Sequence, residues 1–98
     1  MLFRSVCRRL DAVKEGERTA LDNAAIVYCS SMMSGHHDAS QLPVVLVGGG
    51  GGKIAGGRVL DYSGQEQRQM CRLYLSLLDV CGVPQESFGD ATAKLAEI

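Results

Sequence analysis

Apolar residues recur at three- and four-residue steps from the start of the chain: Leu2, Phe3, Val6, Cys7, Leu10 and Val13, with Arg4, Arg8, Asp11 and Lys14 among the polar positions. This spacing lays one apolar stripe along a helix, and Gly16 stops it. Residues 15–23 read as a polar connector with the turn formers Gly16, Asp22 and Asn23. The pattern then changes. Ala24 to Cys29 is a continuous apolar run, too short for a helix and containing β-branched and aromatic residues, which reads as a strand buried on both faces. Pro43 to Val47 is a second run of the same kind, with proline tolerated as its first residue. Twelve residues, Ser31 to Leu42, separate the runs without helical periodicity. A parallel crossover needs about a dozen residues, usually with a helix, so neighbouring parallel strands are just feasible.

Beyond the glycines, residues 58–62 fit a short edge strand, and Ser63 with Glu66 has the spacing of a capping box at a helix start. Met70, Leu73, Tyr74, Leu77, Leu78 and Cys81 form the clearest apolar stripe in the chain, closed by Gly82 and Pro84. Phe88-Gly89-Asp90 marks a second stop, and residues 91–98 read as a frayed helix. Two fully apolar strands and flanking helices define an α/β class with a mainly parallel sheet. So few elements leave strand edges bare, however. The 98 residues therefore read as a single domain that is the carboxy-terminal portion of a larger α/β domain, completed by its amino-terminal part or by a second chain.

Composition narrows this picture without redirecting it. Apolar residues make up 46% and charged residues 21%, as in a folded domain. Ten basic and eleven acidic side chains leave a net charge of -1, so no general field draws nucleic acid to the chain. There is no secretory apolar core and no stretch approaching a membrane span, which points by default to the cytoplasm. Cys7, Cys29, Cys71 and Cys81 are scattered with no C-x-x-C pair, a distribution suited to buried reduced thiols.

Two stretches invite a chemical reading. Gly48 to Gly52 ends in Lys53 after an apolar strand, but a phosphate loop of the G-x-x-x-x-G-K-[ST] type would have glycine at Val47 and a hydroxyl at Ile54. The glycines therefore read as a side-chain-free turn. The loop Ser31 to Leu42 holds His36, His37 and Asp38, whose imidazole and carboxylate groups suit zinc or a similar divalent ion. Adjacent side chains in extended chain point to opposite sides, so the same residues also fit a solvated loop. Ser30 and Ser31 lack the glycines of a nucleophile elbow, and Asp22 and Asp61 need no role beyond turns.

The order "LDNAAIVYCSSM", a histidine-containing loop, "LPVVLVGGGGGKIAGGRVLD" and "CRLYLSLLDVCGVPQESFGD" resembles the carboxy-terminal part of the bacterial HXXSHH family of uncharacterised proteins, over about residues 2–95. More distantly it is similar to the end of the alkaline phosphatase and sulfatase superfamily. The resemblance implies a fragment of a three-layer, alkaline-phosphatase-like sandwich. It also implies a metal-dependent phosphatase-like or sulfatase-like whole, with His36, His37 and Asp38 as ligands of zinc or manganese. The superfamily's nucleophile lies near the amino-terminal end of the fold, so this chain alone is expected to be inactive. Family relatives are usually exported. The alternative expectation is a noncatalytic interaction module completed by strand pairing with a partner or a second copy.

Overall fold

The computed structural model describes residues 2–98 and divides into two compact units, one ending at Gly51 and the other running from Gly52 to Ile98. The first unit opens with the expected amphipathic helix, α1 (Leu2–Ala12). Phe3, Cys7 and Leu10 on its apolar stripe are half-buried, while Leu2 and Val6 stay exposed. The stretch read as a connector folds into a small hairpin of β1 (Lys14–Glu15) and β2 (Arg18–Thr19), paired Lys14 to Thr19 and Glu15 to Arg18. Gly16 makes the turn with φ +65°, a conformation that costs glycine little.

A four-residue helix, α2 (Ala20–Asn23), follows at once under a complete capping box. The Thr19 hydroxyl accepts from the Asp22 N–H at 3.1 Å, and the Asp22 carboxylate accepts from the Thr19 N–H at 2.8 Å. These bonds satisfy donors that a helix start leaves unpaired, which is how so short a helix holds its place.

The two apolar runs form β3 (Ile26–Cys29) and β4 (Val44–Val47), and here the structure corrects the sequence reading. They pair with each other antiparallel, in the register Ile26–Val47, Val27–Leu46, Tyr28–Val45 and Cys29–Val44. The only sheets among the described residues are this pair and the β1–β2 hairpin. The described residues therefore hold no parallel sheet, and the chain is not a fragment of a three-layer, alkaline-phosphatase-like sandwich. The reason is the connection: a helix-free loop of this length returns the chain easily to an antiparallel neighbour, whereas a parallel partner requires a crossover over the sheet. No residue of either strand is buried. Contact from a helix comes through Phe3, whose ring stacks on Tyr28 with centroids 4.6 Å apart.

The second unit is organised on α3 (Met70–Val80), where the stripe predicted it. Its start differs from expectation. Asp61 Oδ1 captures the Ser63 N–H at 2.8 Å in a local turn, Gln67 takes φ +54°, and the helix begins after Gln69 without a side-chain cap. Its end is as predicted. Gly82, at φ +79°, closes the last turn, and the Val83 N–H bonds back to the Leu78 carbonyl at 2.9 Å.

Residues 58–62 form no strand and residues 91–98 no helix. Instead the tail turns at Phe88–Ala91, through reciprocal backbone bonds of 3.0 and 2.9 Å, and runs back along α3. Leu73, Leu75, Ala91 and Leu95 form the buried apolar core, with Ser76 buried beside them. All four cysteines are free thiols. Cys7 and Cys71 are half-buried, but Cys29 and Cys81 are exposed, against the buried set expected. No helix among the described residues is long and apolar enough to cross a membrane.

Candidate functional site

The loop between β3 and β4 carries the residues singled out for metal binding. His36, His37 and Asp38 are all exposed. The loop folds on itself: the Met33 N–H donates to the Asp38 carbonyl at 3.1 Å, and the His37 N–H donates to the Ser34 carbonyl at 3.2 Å. The Ser34 hydroxyl receives the His36 N–H at 3.4 Å. Asp38 Oδ1 accepts the Ser40 N–H at 2.8 Å, the geometry of an Asx turn, so one of its carboxylate oxygens already has a backbone partner. Among the described residues, no group of three or more His, Cys, Asp or Glu side chains gathers in metal-binding geometry.

The glycine run has a packing role. A Cβ on Gly48 would lie 2.2 Å from the Ala24 carbonyl oxygen, and one on Gly49 would lie 2.4 Å from that of Asp22. The Gly49 and Gly50 N–H groups donate to the carbonyls of Leu21 and Ala24. Two amides that a phosphate loop would aim at its ligand are thus spent on the α2–β3 connection. Absence of side chains lets β4 leave the pair against that connection.

In the second unit, an open recess of about 370 Å³ is lined by Lys53, Ser76, Asp79, Lys94, Leu95 and Ile98, among others. Its cations are engaged. Lys53 Nζ donates to the Val80 carbonyl at 3.0 Å, helping to satisfy the end of α3, and Lys94 Nζ bonds Asp79 Oδ2 at 2.5 Å. The Lys94 bond and charge hold the Asp79 carboxyl below its ordinary range. Nearby, burial raises the Tyr62 hydroxyl above its usual value, and the carboxylate of Glu97, 3.1 Å away, adds to the rise. These contacts fasten the tail and leave no converging set of free donors.

The remaining chemistry is that of the backbone. In an antiparallel pair, opposed residues alternate between those that exchange hydrogen bonds and those whose N–H and C=O groups point away. The Ser30 N–H donates to the Pro43 carbonyl at 3.3 Å, continuing the register one step beyond Cys29–Val44 and fixing the phase. Tyr28–Val45 and Ile26–Val47 are therefore the bonded pairs. Val27 and Cys29 on β3, and Val44 and Leu46 on β4, turn their amides and carbonyls to the two outer edges. Among the described residues no third strand pairs on either side, so both edges are open to a strand. Val44, Val45 and Tyr28 are exposed as well, at 36%, 46% and 58%. The hydropathy pattern located these strands but did not reveal which residues face outward, because the phase depends on pairing rather than on residue type.

Comparison with known protein families, curated proteins and solved structures found no match to this chain.

Proposed function

We propose that this chain is a noncatalytic interaction module whose β3–β4 pair is completed by a strand from another polypeptide segment. The observation that carries the reading is the pair itself: two four-residue apolar strands, open along both edges and buried on neither face. An isolated two-stranded sheet is at best marginally stable in water, and further strands or a covering layer supply what it lacks. Strand addition does so by recruiting the unpaired backbone groups, with apolar side chains as the specificity element. The completing segment is a second copy or a strand of a different polypeptide. The reading assigns the chain no catalytic step.

Residue-resolved amide exchange tests this. It is recorded on the full chain as its concentration rises, and on the dilute chain as soluble apolar strand peptides are added, the β4 sequence flanked by lysines among them. Strand addition slows exchange at Val27 and Cys29, or at Val44 and Leu46, by at least about tenfold. Unchanged exchange at all four under every condition overturns it.

A further inference from the structure

We infer that the completing strand is β4 of a second copy, joined antiparallel across a two-fold axis at Val45; this rests on the strand-addition reading and names its partner. The outward-facing residues of β4 are Val44 and Leu46, two positions apart. A strand laid antiparallel against its own copy pairs Val44 with Leu46 of the second copy, and Leu46 with Val44 of the second copy. Each pair exchanges its hydrogen bonds, about four in all, and Val45 meets Val45 in the closer, non-bonded position between them. Such an interface is self-complementary, as two-fold symmetry requires.

Three observations favour this edge and this occupant. The first is charge. No ionisable acid or base occurs between Leu42 and Gly52, so bringing two identical edges together opposes no like charges, and none of the edge lysines that normally block such pairing is present.

The second is the placement of Pro43. Proline commonly protects an edge by removing a donor. Here Pro43 lies in phase with Tyr28–Val45 and faces Ser30, so the missing N–H falls on the β3 side and leaves the outer edge of β4 intact.

The third is the contrast with β3. Its equivalent two-fold would fall at Tyr28, whose ring already stacks on Phe3 of α1. Pairing there would bring together two α1 helices that carry Arg4, Arg8 and Arg9 and, as their only acid, Asp11. Like-charge repulsion works against that edge more than against β4, where the axis falls one strand farther from the Phe3–Tyr28 contact.

The test combines mass, exchange and a charge swap at the axis. Val45 is exposed, so Val45→Lys and Val45→Glu are each compatible with a folded monomer, which their amide spectra verify. In sedimentation of the unmodified chain, the mass rises with concentration from 10.5 kDa toward twice that value, while exchange at Val44 and Leu46 slows by about tenfold or more. Either variant alone stays monomeric at every concentration, because like charges meet at the axis; an equimolar mixture of the two recovers the dimer. Protection confined to Val27 and Cys29, or dimers that both variants form unchanged, overturns the β4 assignment and leaves strand addition standing. A monomer with rapid exchange on both edges, with and without strand peptides, overturns both.

Discussion

Ser76 Oγ stands 2.9 Å from both the amide nitrogen and the carbonyl oxygen of Leu95, accepting from one and donating to the other. A single hydroxyl in the core thus makes the shorter bond to each backbone group of a tail residue, whose other partners, the Arg72 carbonyl and the Ile98 N–H, lie at 3.4 Å. Ser76→Ala leaves those groups only their long 3.4 Å bonds, at a cost of about 1 kcal/mol. Urea denaturation followed at a tail probe should show the loss. An unchanged midpoint would mean that the Ser76 hydroxyl adds nothing to the other contacts that hold the tail.

The Thr19–Asp22 box gives the first unit a defined acid response. Bonds from the Thr19 backbone and hydroxyl hold the Asp22 carboxyl below its ordinary value of 3.8, and the charges of Arg18 and Lys14 add to the effect. A carboxyl lowered by folding contributes stability that is complete above its unfolded value and disappears as pH falls through the folded one. Stability of the first unit should therefore decline below pH 3.8, and Asp22→Asn should remove that part of the decline. Carbon-detected titration of Asp22 checks the direction of the shift, and chemical denaturation over the same pH range checks the consequence.

Gly48 and Gly51 both have positive φ, +109° and +70°, but only Gly48 faces carbonyl oxygens where a side chain would go. Gly51→Ala carries the conformational penalty alone, about 1–2 kcal/mol. Gly48→Ala adds a backbone collision that nothing nearby can relieve, so it should lower the melting temperature clearly more. Equal losses would show that the β4 exit is free to move away from Ala24.

Zinc or manganese separates a metal loop from a self-bonded one. One carboxylate oxygen of Asp38 is engaged by Ser40, and His36 and His37 lie in an exposed loop. Either ion should accordingly leave the melting temperature of the chain unchanged, and the same as in a variant combining His36→Ala with His37→Ala. A rise with metal that the variant loses would place an ion there, by the usual stabilisation of the state that binds.

The legible parts of this fold were those encoded by spacing. Met70 to Cys81 declares α3 because its apolar stripe follows a 3.6-residue repeat, although Leu75 and Ser76, which the helix also buries, lie off that stripe, and Leu2 to Val13 declares α1 by the same repeat. The apolar runs announced strands at the correct places. Their direction was obscured because a run without polar residues resembles a fully covered parallel strand, even when the pair is small and uncovered. The better signal was the short helix-free connection, which favours an antiparallel return. Capping escaped for a different reason. Thr19–Asp22 sits on a helix too short to show periodicity, while Ser63–Glu66 has the right spacing but loses Ser63 to Asp61. The outward phase of Val44 and Leu46 could be known only after Ser30 and Pro43 were seen to pair.

Arg72 reaches from α3 to three carbonyls, those of Gln67, Ala93 and Lys94. Together with Ser76, it grips the final stretch wholly by main-chain atoms. Part of the instruction for that stretch is thus written in the helix, beside the buried Ala91 and Leu95 of the tail itself. Thr92 and Ala93, both exposed, become replaceable text on a fixed line, a convenient place to graft a foreign epitope or label without redirecting the chain.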